Sequence, residues 1–342
     1  MSCQLVSGRY SKGMARENPH RPFTPDPEQM AVFPDVSGND VNGLGEETPR
    51  RARMIYWAPN PFDIPHGQLQ LYFYGQSDKA PEFALARAKR QKTLDAPLPE
   101  IASDAVQNSP DVWTNSLNQF IESGDCELTG VAEMCEDWIM EGHNVTQSRV
   151  IILGVVHDYG EISQAPDKAA GLEVMEQYGR AAAAAKTVAG WLREQGWEAE
   201  PITGPMSGAL LMIPAALAAG FGELGKHGSI INPTYGSSFR LSAVLTNAPF
   251  APTPAVDAGI DGFCASCKIC EDACPPEAIF HEKQTVRGES KWYVNFDKCL
   301  PFFNQTHGCA ICIAVCPWSR PGVGPNLAAK LARRAERRDA EN

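Results

Sequence analysis

The chain has 342 residues, which at roughly 150 residues per domain predicts about two domains and a sizeable core. Its 43% hydrophobic and 21% charged residues are ordinary for a globular protein, and no apolar run reaches the roughly 20 residues that cross a membrane. The 30 Lys and Arg residues against 41 Asp and Glu give a net charge of −11, so nucleic acid is not expected as a partner.

The N-terminal part, residues 1–93, is expected to be extended or irregular and to pack on the core. Prolines and glycines interrupt residues 1–50, and residues 53–75 form an aromatic segment that is broken by prolines and predicted as a loop. The first residues lack an apolar export signal, and the pair Arg50 and Arg51 comes too late for a twin-arginine signal. We therefore expect a cytoplasmic protein.

A compact domain is predicted over residues 94–254. Its apolar patterns predict a helix that Gly124 ends, a central strand at Arg149–Val156 that is buried on both faces, and a long alanine-rich helix over 167–195. Further strands are predicted at residues 126–134, 197–202 and 240–247, and the first helix at 112–124. The order of strands and helices indicates a layered α/β or α+β domain.

The cysteines are concentrated near the C-terminus, where eight of the 11 fall between Cys264 and Cys316. Two runs end in Cys-Pro, and the first has the spacing C-x2-C-x2-C-x3-C-P that is typical of bacterial-ferredoxin-like [4Fe-4S] sites. In such pairs the fourth cysteine of each run ligates the other cluster. The sequence therefore predicts two [4Fe-4S] clusters, one held by Cys264, Cys267, Cys270 and Cys316 and the other by Cys299, Cys309, Cys312 and Cys274.

The alternative for these cysteines is a pair of structural zinc sites, because four thiolates also bind Zn²⁺. Zinc ribbons pair two separated C-x2-C knuckles, whereas each run here has three closely spaced cysteines and a Cys-Pro, which favours iron and sulfur. Cys3, Cys126 and Cys135 lie outside the runs and are interpreted as buried or incidental thiols. The cluster domain is predicted over residues 255–325, and residues 326–342 form a tail that is expected to be a surface helix.

Four segments carry a resemblance to a known family. They are APDKAAGLEVMEQYGRAAAAAKTVAGWLREQGWEAEPI, AGFGELGKHGSIINPTYGSSFRLSAVLTNAPF, GFCASCKICEDACPPEAI and NFDKCLPFFNQTHGCAICIAVCPWSRPG. In order and spacing they resemble the corrinoid iron-sulfur reductive dehalogenases, from about Cys126 to Gly322. The resemblance implies an α+β fold in which a nitroreductase-like corrinoid-binding core precedes a bacterial-ferredoxin-like domain with two clusters.

The resemblance also implies a reaction. Electrons from an external ferredoxin or flavodoxin would pass through the two clusters to a base-off cobalamin without a protein histidine on cobalt. A small organohalide would then exchange its halogen for hydrogen.

The resemblance assigns roles to residues of the core. Tyr178 matches the family's proton donor and Arg240 its cationic partner, and a guanidinium stabilises the phenolate that remains after donation. Without the resemblance the two residues would be an ordinary half-buried helix tyrosine and a strand arginine. The glycine-rich segment supplies candidates for contacts with the corrinoid, which are Gly225, His227, Tyr235 and Gly236; the simpler interpretation of this segment is a loop with a helix cap.

Two other functions stay open. An epoxyqueuosine reductase, a related corrinoid iron-sulfur enzyme of tRNA modification, would place an aspartate in a G-R-D-Y-H motif where EQYGR stands here, and its substrate would favour a basic surface. A corrinoid-handling or electron-transfer protein without its own substrate would keep the clusters but need no proton donor.

Overall fold

The computed structural model describes residues 18–78, 80–204 and 208–341. Its centre is an antiparallel sheet with the strand order β1-β2-β6-β3. The strands of this sheet are β1 (Leu128–Glu133), β2 (Arg149–Val156), β3 (Ala199–Ile202) and β6 (Phe239–Thr246). β2 lies in the middle and is buried along almost its whole length, which confirms its predicted central position.

One face of the sheet is covered by helix α8 (Lys168–Glu194). Ala181, Ala185 and Ala189 of α8 are fully buried against the β-branched residues of the strands. Because alanine side chains are small, they allow the long helix α8 to pack close to the sheet. The predicted long helix is confirmed to within one residue at each end.

The other face of the sheet packs against helix α9 (Met212–Ala218) and Phe221. Before the sheet lie two short helices, α5 (Pro110–Ser116) and α6 (Asn118–Glu122), where the sequence predicts a single helix. Two minor strands, β4 (Glu223–Leu224) and β5 (Ile230–Ile231), pair with each other in the glycine-rich segment. The core is thus a mixed helix and sheet structure with helices on both faces.

The N-terminal region contains more regular structure than the sequence predicts. Residues 53–75 were expected to form a loop, yet a helix occupies Gly67–Ser77 and a second follows at Pro81–Asp95. The expectation is wrong from Gly67 onward and holds for residues 53–66, which contain only a 3-10 turn. Both helices are stabilised by contacts with distant parts of the chain: Phe73 stacks on Phe303 and Phe83 on His307. The helices of this region are α1 (Pro27–Met30), α2 (Gly38–Asn42), α3 (Gly67–Ser77) and α4 (Pro81–Asp95).

The C-terminal part is built from short helices and a small hairpin, and it ends in the predicted tail helix. Its elements are α10 (Ile260–Ser266), α11 (Ile269–Ala273), β7 (Gln284–Val286), β8 (Glu289–Lys291), α12 (Phe296–Gln305), α13 (Ile311–Ala314) and α14 (Val323–Glu341). A one-turn helix α7 (Tyr159–Ile162) connects it to the core, because the Tyr159 hydroxyl donates to the carbonyl of Ala314 at 3.0 Å. Single 3-10 turns occur at Pro61–Asp63, Glu136–Trp138 and Pro317–Ser319.

Among the described residues, no helix combines the length and the apolar character that a membrane span requires. Cys3 falls outside the described residues.

Candidate active site and cluster sites

Tyr178 and Arg240 meet between helix α8 and strand β6. The guanidinium carbon of Arg240 lies 5.0 Å from the centre of the Tyr178 ring, on the face of the ring. Arg240 stands opposite Val155 in the β2–β6 register, so its side chain points to the side of the sheet that α8 covers. The two residues that the resemblance pairs are therefore neighbours in space, although 62 positions separate them in the sequence.

Two buried polar atoms at this pair lack hydrogen-bond partners. Arg240 Nε and His157 Nε2 are both buried and have no partner among the described residues. His157 follows β2 and contacts Ser238 Oγ through Nδ1 at 3.5 Å. Burial, together with the positive charge of Arg240, lowers the pKa of His157 to about 2, so its imidazole is neutral. Unpaired buried donors and acceptors are costly, and a polar ligand beside Tyr178 would satisfy them.

Two further residues reach Tyr178 from the N-terminal region, and sequence reasoning missed both. Arg90 of α4 lies beside Gly179, the residue after Tyr178: its Cβ is 3.8 Å from the position of a Cβ added at Gly179. The Arg90 guanidinium donates to the carbonyl of Gly204. Tyr74 of α3 interacts electrostatically with both Arg90 and Tyr178, and burial raises its pKa. No local pattern could have identified these residues, because their relation to Tyr178 exists only in the tertiary structure.

The first predicted set of cysteines lines one cavity. The thiols of Cys264, Cys267, Cys270 and Cys316 surround it together with Lys226, His227, Ile231, Phe263, Pro317 and Trp318. Burial raises the pKa of Cys264 and Cys270 to about 12 and that of Cys316 to about 11. A buried thiol of this kind ionises only when a metal supplies the compensating positive charge.

The second set forms a separate cluster of thiols between α12 and α13. Cys299 interacts with Cys309 and Cys274, while Cys312 is close enough to interact with all three and with Cys270. Burial raises the pKa of Cys299 and Cys309 to about 12. No three His, Cys, Asp or Glu side chains in the described ranges converge closely enough to hold a single metal ion. The cysteines of each set are therefore grouped by the buried region they share, and they do not have the spacing of ligands around one ion.

The second set also touches the core domain. The side chain of His307, two residues before Cys309, is 2.8 Å from the position that a Cβ would take at Gly171 of α8. Gly171 and Tyr178 lie seven residues apart on the same helix, which corresponds to about 10 Å along the helix axis. The second cysteine set therefore lies close to the helix that carries Tyr178.

The candidates in the glycine-rich segment lie at the boundary between the core and the first cysteine set. His227 is 6% exposed; its Nδ1 accepts from the Ser229 amide at 3.2 Å and its Nε2 faces Ser237 Oγ at 3.2 Å. Burial lowers its pKa to about 4. Both ring nitrogens of His227 are thus engaged within the protein.

Gly225, Gly236 and Tyr235 serve packing in the same segment. A Cβ at Gly225 would lie 2.6 Å from Ile231, and one at Gly236 would lie 2.4 Å from the backbone of Ser319. Tyr235 is half-buried beside the apolar cluster that includes Phe221. Gly236 therefore allows the backbones of the core and the cluster domain to approach each other, and Gly225 leaves room for the Ile231 side chain of its own segment.

Comparisons with known proteins agree with this architecture. Residues 263–319 match the family model of the 4Fe-4S dicluster domain. The tetrachloroethene reductive dehalogenase of Dehalobacter restrictus is 31% identical over 229 residues, which is 63% of this chain and 41% of the relative. The trichloroethene reductive dehalogenase of Dehalococcoides mccartyi is 40% identical over 109 residues, 29% of this chain and 18% of the relative.

An epoxyqueuosine reductase of Lactococcus garvieae is 31% identical over 130 residues, 33% of each chain. The structure of the catabolic reductive dehalogenase NpRdhA in complex with 3-bromo-4-hydroxybenzoic acid covers 91% of this chain with a TM-score of 0.69 at 19% identity, and this chain covers 48% of it. The chain thus spans less than half the length of the dehalogenases it matches. The chain is similar to reductive dehalogenases and to epoxyqueuosine reductases and matches the model of a 4Fe-4S dicluster domain, which confirms the resemblance seen in the sequence.

Proposed function

We propose that the protein is a reductive dehalogenase that replaces a carbon-bound halogen by hydrogen. The overall step consumes two electrons and one proton and releases a halide ion. The observation that carries the proposal is the contact between Tyr178 and Arg240 beside buried polar atoms that lack partners, in a homologue of reductive dehalogenases. The substrate would be a small organohalide, and the electron donor an external ferredoxin or flavodoxin.

Tyr178 would supply the proton to the carbon that loses the halogen. A phenol is a weak acid, so donation at neutral pH requires that the resulting phenolate be stabilised. Arg240 stacks on the ring at 5.0 Å and cannot lose its charge, so it lowers the energy of the phenolate without competing as an acid. Arg90 adds a second positive charge on the other element that approaches Tyr178.

The cysteines would hold the electron path. In this proposal Cys264, Cys267, Cys270 and Cys316 ligate one [4Fe-4S] cluster, and Cys274, Cys299, Cys309 and Cys312 ligate the other. The thiols fit because each set shares one buried environment in which thiolates need a metal. A reduced base-off cobalamin, when bound, would supply the nucleophilic cobalt chemistry that cleaves the carbon–halogen bond.

The core would hold the corrinoid next to Tyr178. Arg240 Nε and His157 Nε2 are the buried polar atoms that fit its amide side chains. Residues 94–254 would then form a nitroreductase-like corrinoid domain and residues 255–325 the cluster domain. Of the four predicted contacts in the glycine-rich segment, Tyr235 remains a candidate, because a half-buried phenol can reach a ligand edge.

The test is halide release by protein that is produced without oxygen and loaded with iron, sulfide and cobalamin. We expect about eight irons and one cobalt per chain, and halide release from members of an organohalide panel in the presence of a low-potential reductant. Tyr178→Phe should retain both metals and lower halide release by about 10²-fold or more, as loss of a general acid does. Tyr72→Phe is the matched control, because its hydroxyl donates to Asp26 of the N-terminal region at 2.7 Å.

Three outcomes separate the alternatives. Equal halide release by Tyr178→Phe and the wild type would remove Tyr178 from the mechanism. Full iron without cobalt would favour an electron-transfer protein. Cobalt binding without halide release, together with reduction of an epoxide in a tRNA stem loop, would favour the epoxyqueuosine reductase function that the 31% identity over 130 residues supports.

A further inference from the structure

Lys226 is a buried cation in the wall of the first cysteine cavity. Its side chain is 1% exposed, and its Nζ has no hydrogen-bond partner among the described residues. The nearest carboxylate oxygen is Glu271 Oε2 at 3.6 Å, and the ring centre of Trp292 lies 5.2 Å from the ammonium. The backbone amide of the same residue donates to the sulfur of Cys264.

The charge of Lys226 is only partly balanced by the protein. Both groups that face the Lys226 ammonium also interact with a second residue. The same oxygen of Glu271 lies 3.1 Å from Nδ1 of His281, and the Trp292 ring centre lies 5.6 Å from the ammonium of Lys283. Transfer of an ammonium from water into such surroundings is unfavourable unless a negative group lies close by. The other lining groups of the cavity that can carry negative charge are the four thiols themselves.

A [4Fe-4S] cluster held by four thiolates would supply that negative charge. Such a cluster carries a net charge of about −2 when oxidised and −3 when reduced, so a nearby fixed cation favours the reduced form. The second cysteine set has Cys299, Cys309, Cys312 and Cys274 as its members, and Lys226 does not interact with any of them in the described structure. The effect should therefore be specific to one cluster.

We propose that the positive charge of Lys226 raises the reduction potential of the cluster at Cys264, Cys267, Cys270 and Cys316, and that the negative charge of Glu271 lowers it. The inference rests on the clusters of the proposed function and adds a regulation of their potential. The step it affects is the one-electron reduction of this cluster, in which the reductant is oxidised, the cluster gains one negative charge and no bond forms or breaks. Glu271 and Lys226 together would set how readily this cluster accepts the electron.

The test is a potentiometric titration of the loaded protein with dithionite, followed by electron paramagnetic resonance and without organohalide. Lys226→Met should make reduction of the first cluster about tenfold less favourable, which for a one-electron couple is 59 mV. Lys226→Arg retains the charge and should restore the wild-type potential. Glu271→Gln removes the opposing charge at nearly constant shape and should shift the potential in the opposite direction. The second cluster in the same molecules is the internal control and should move less.

The opposite signs distinguish an electrostatic role from a structural one. Loss of packing would shift both variants in the same direction or lower the iron content, and if Lys226→Met fails to bind iron, Glu271→Gln alone still tests the sign. Unchanged potentials in iron-replete variants would overturn the inference. The measurement does not use substrate, so absence of halide release would refute the proposed dehalogenation and leave the result on Lys226 standing.

Discussion

At the scale of single residues, the burial of His157 makes the stability of the protein depend on pH. Burial lowers its pKa to about 2 in the folded protein, against about 6.5 in the unfolded chain. Between these values the unfolded chain binds a proton that the folded protein does not, so the free energy of unfolding falls as the pH decreases below 6.5. The expected loss from this residue is about 2 kcal/mol between pH 8 and pH 5.

The measurement compares wild type and His157→Asn by urea unfolding at pH 8 and pH 5 in the absence of oxygen. Asparagine can keep a contact with Ser238 but does not titrate. Carboxylates titrate alike in both proteins, so the difference between the two pH profiles isolates His157. We expect the wild type to lose about 2 kcal/mol more than the variant on acidification. Parallel profiles would show that the imidazole is solvated or protonated in the fold.

At the scale of elements, Gly236 connects the core sheet to the cluster domain. Its φ is +62°, and an added Cβ would lie 2.4 Å from both Cα and N of Ser319. Gly142 has a similar φ of +84° but nothing within 4 Å of an added Cβ. The two glycines therefore separate the cost of left-handed backbone from the cost of overlap.

We expect Gly142→Ala to lower the free energy of unfolding by about 1 kcal/mol, the cost of a left-handed alanine. Gly236→Ala should cost several times more, because the backbone of Ser319 must move and with it the adjacent turn Pro317–Ser319 that follows Cys316. Urea midpoints measure both changes, and iron release during unfolding reports on the cluster domain. Similar costs for the two variants would mean that the approach of Gly236 to Ser319 is not a constraint.

The elements that the sequence predicts are those whose pattern is local. The β-branched run at Arg149–Val156 and the alanine-rich helix α8 carry their own evidence, because burial on both faces and helix propensity are visible in consecutive residues. Helix α3 was missed because its aromatic residues are consecutive and are buried by helix α12, which is remote in sequence. The same limit applies to the site: the motif order pairs Tyr178 with Arg240, whereas Arg90 reaches them only through the packing of α4 on α8.

At the scale of the whole molecule, the N-terminal region holds the cluster domain in place. Arg21 donates to the carbonyl of Cys274 at 2.6 Å and forms an ion pair with Glu277 at 2.9 Å. Asn304 of α12 is fully buried, accepts the hydroxyl of Tyr56 at 2.6 Å and donates to Gln29 at 3.1 Å. Three distant parts of the chain therefore share one buried hydrogen-bond network next to the second cysteine set.

Asn304→Leu tests this connection. The substitution leaves the hydroxyl of Tyr56 and the side-chain oxygen Oε1 of Gln29 buried without their Asn304 partner, and we expect the free energy of unfolding to fall by about 2–4 kcal/mol. Because α12 also carries Cys299, iron should reach an added chelator faster than in the wild type. The control is Asn326→Leu. The exposed side chain of Asn326 donates to the carbonyl of Gly322, the residue before α14, at 2.8 Å, and its replacement should change stability by less than about 0.5 kcal/mol.

The comparison of the two asparagine variants decides how the molecule unfolds. If the N-terminal region and the cluster domain unfold as one unit, Asn304→Leu lowers the urea midpoint and raises the rate of iron release together, because the same network resists both processes. If iron release is unchanged while the midpoint falls, the network stabilises the N-terminal region alone, and α12 is held by its own contacts with the cluster. Phe73 of α3 stacks on Phe303 of α12, and Phe83 of α4 stacks on His307, which follows α12. Because these contacts also join the N-terminal region to the cluster domain, we expect the first result.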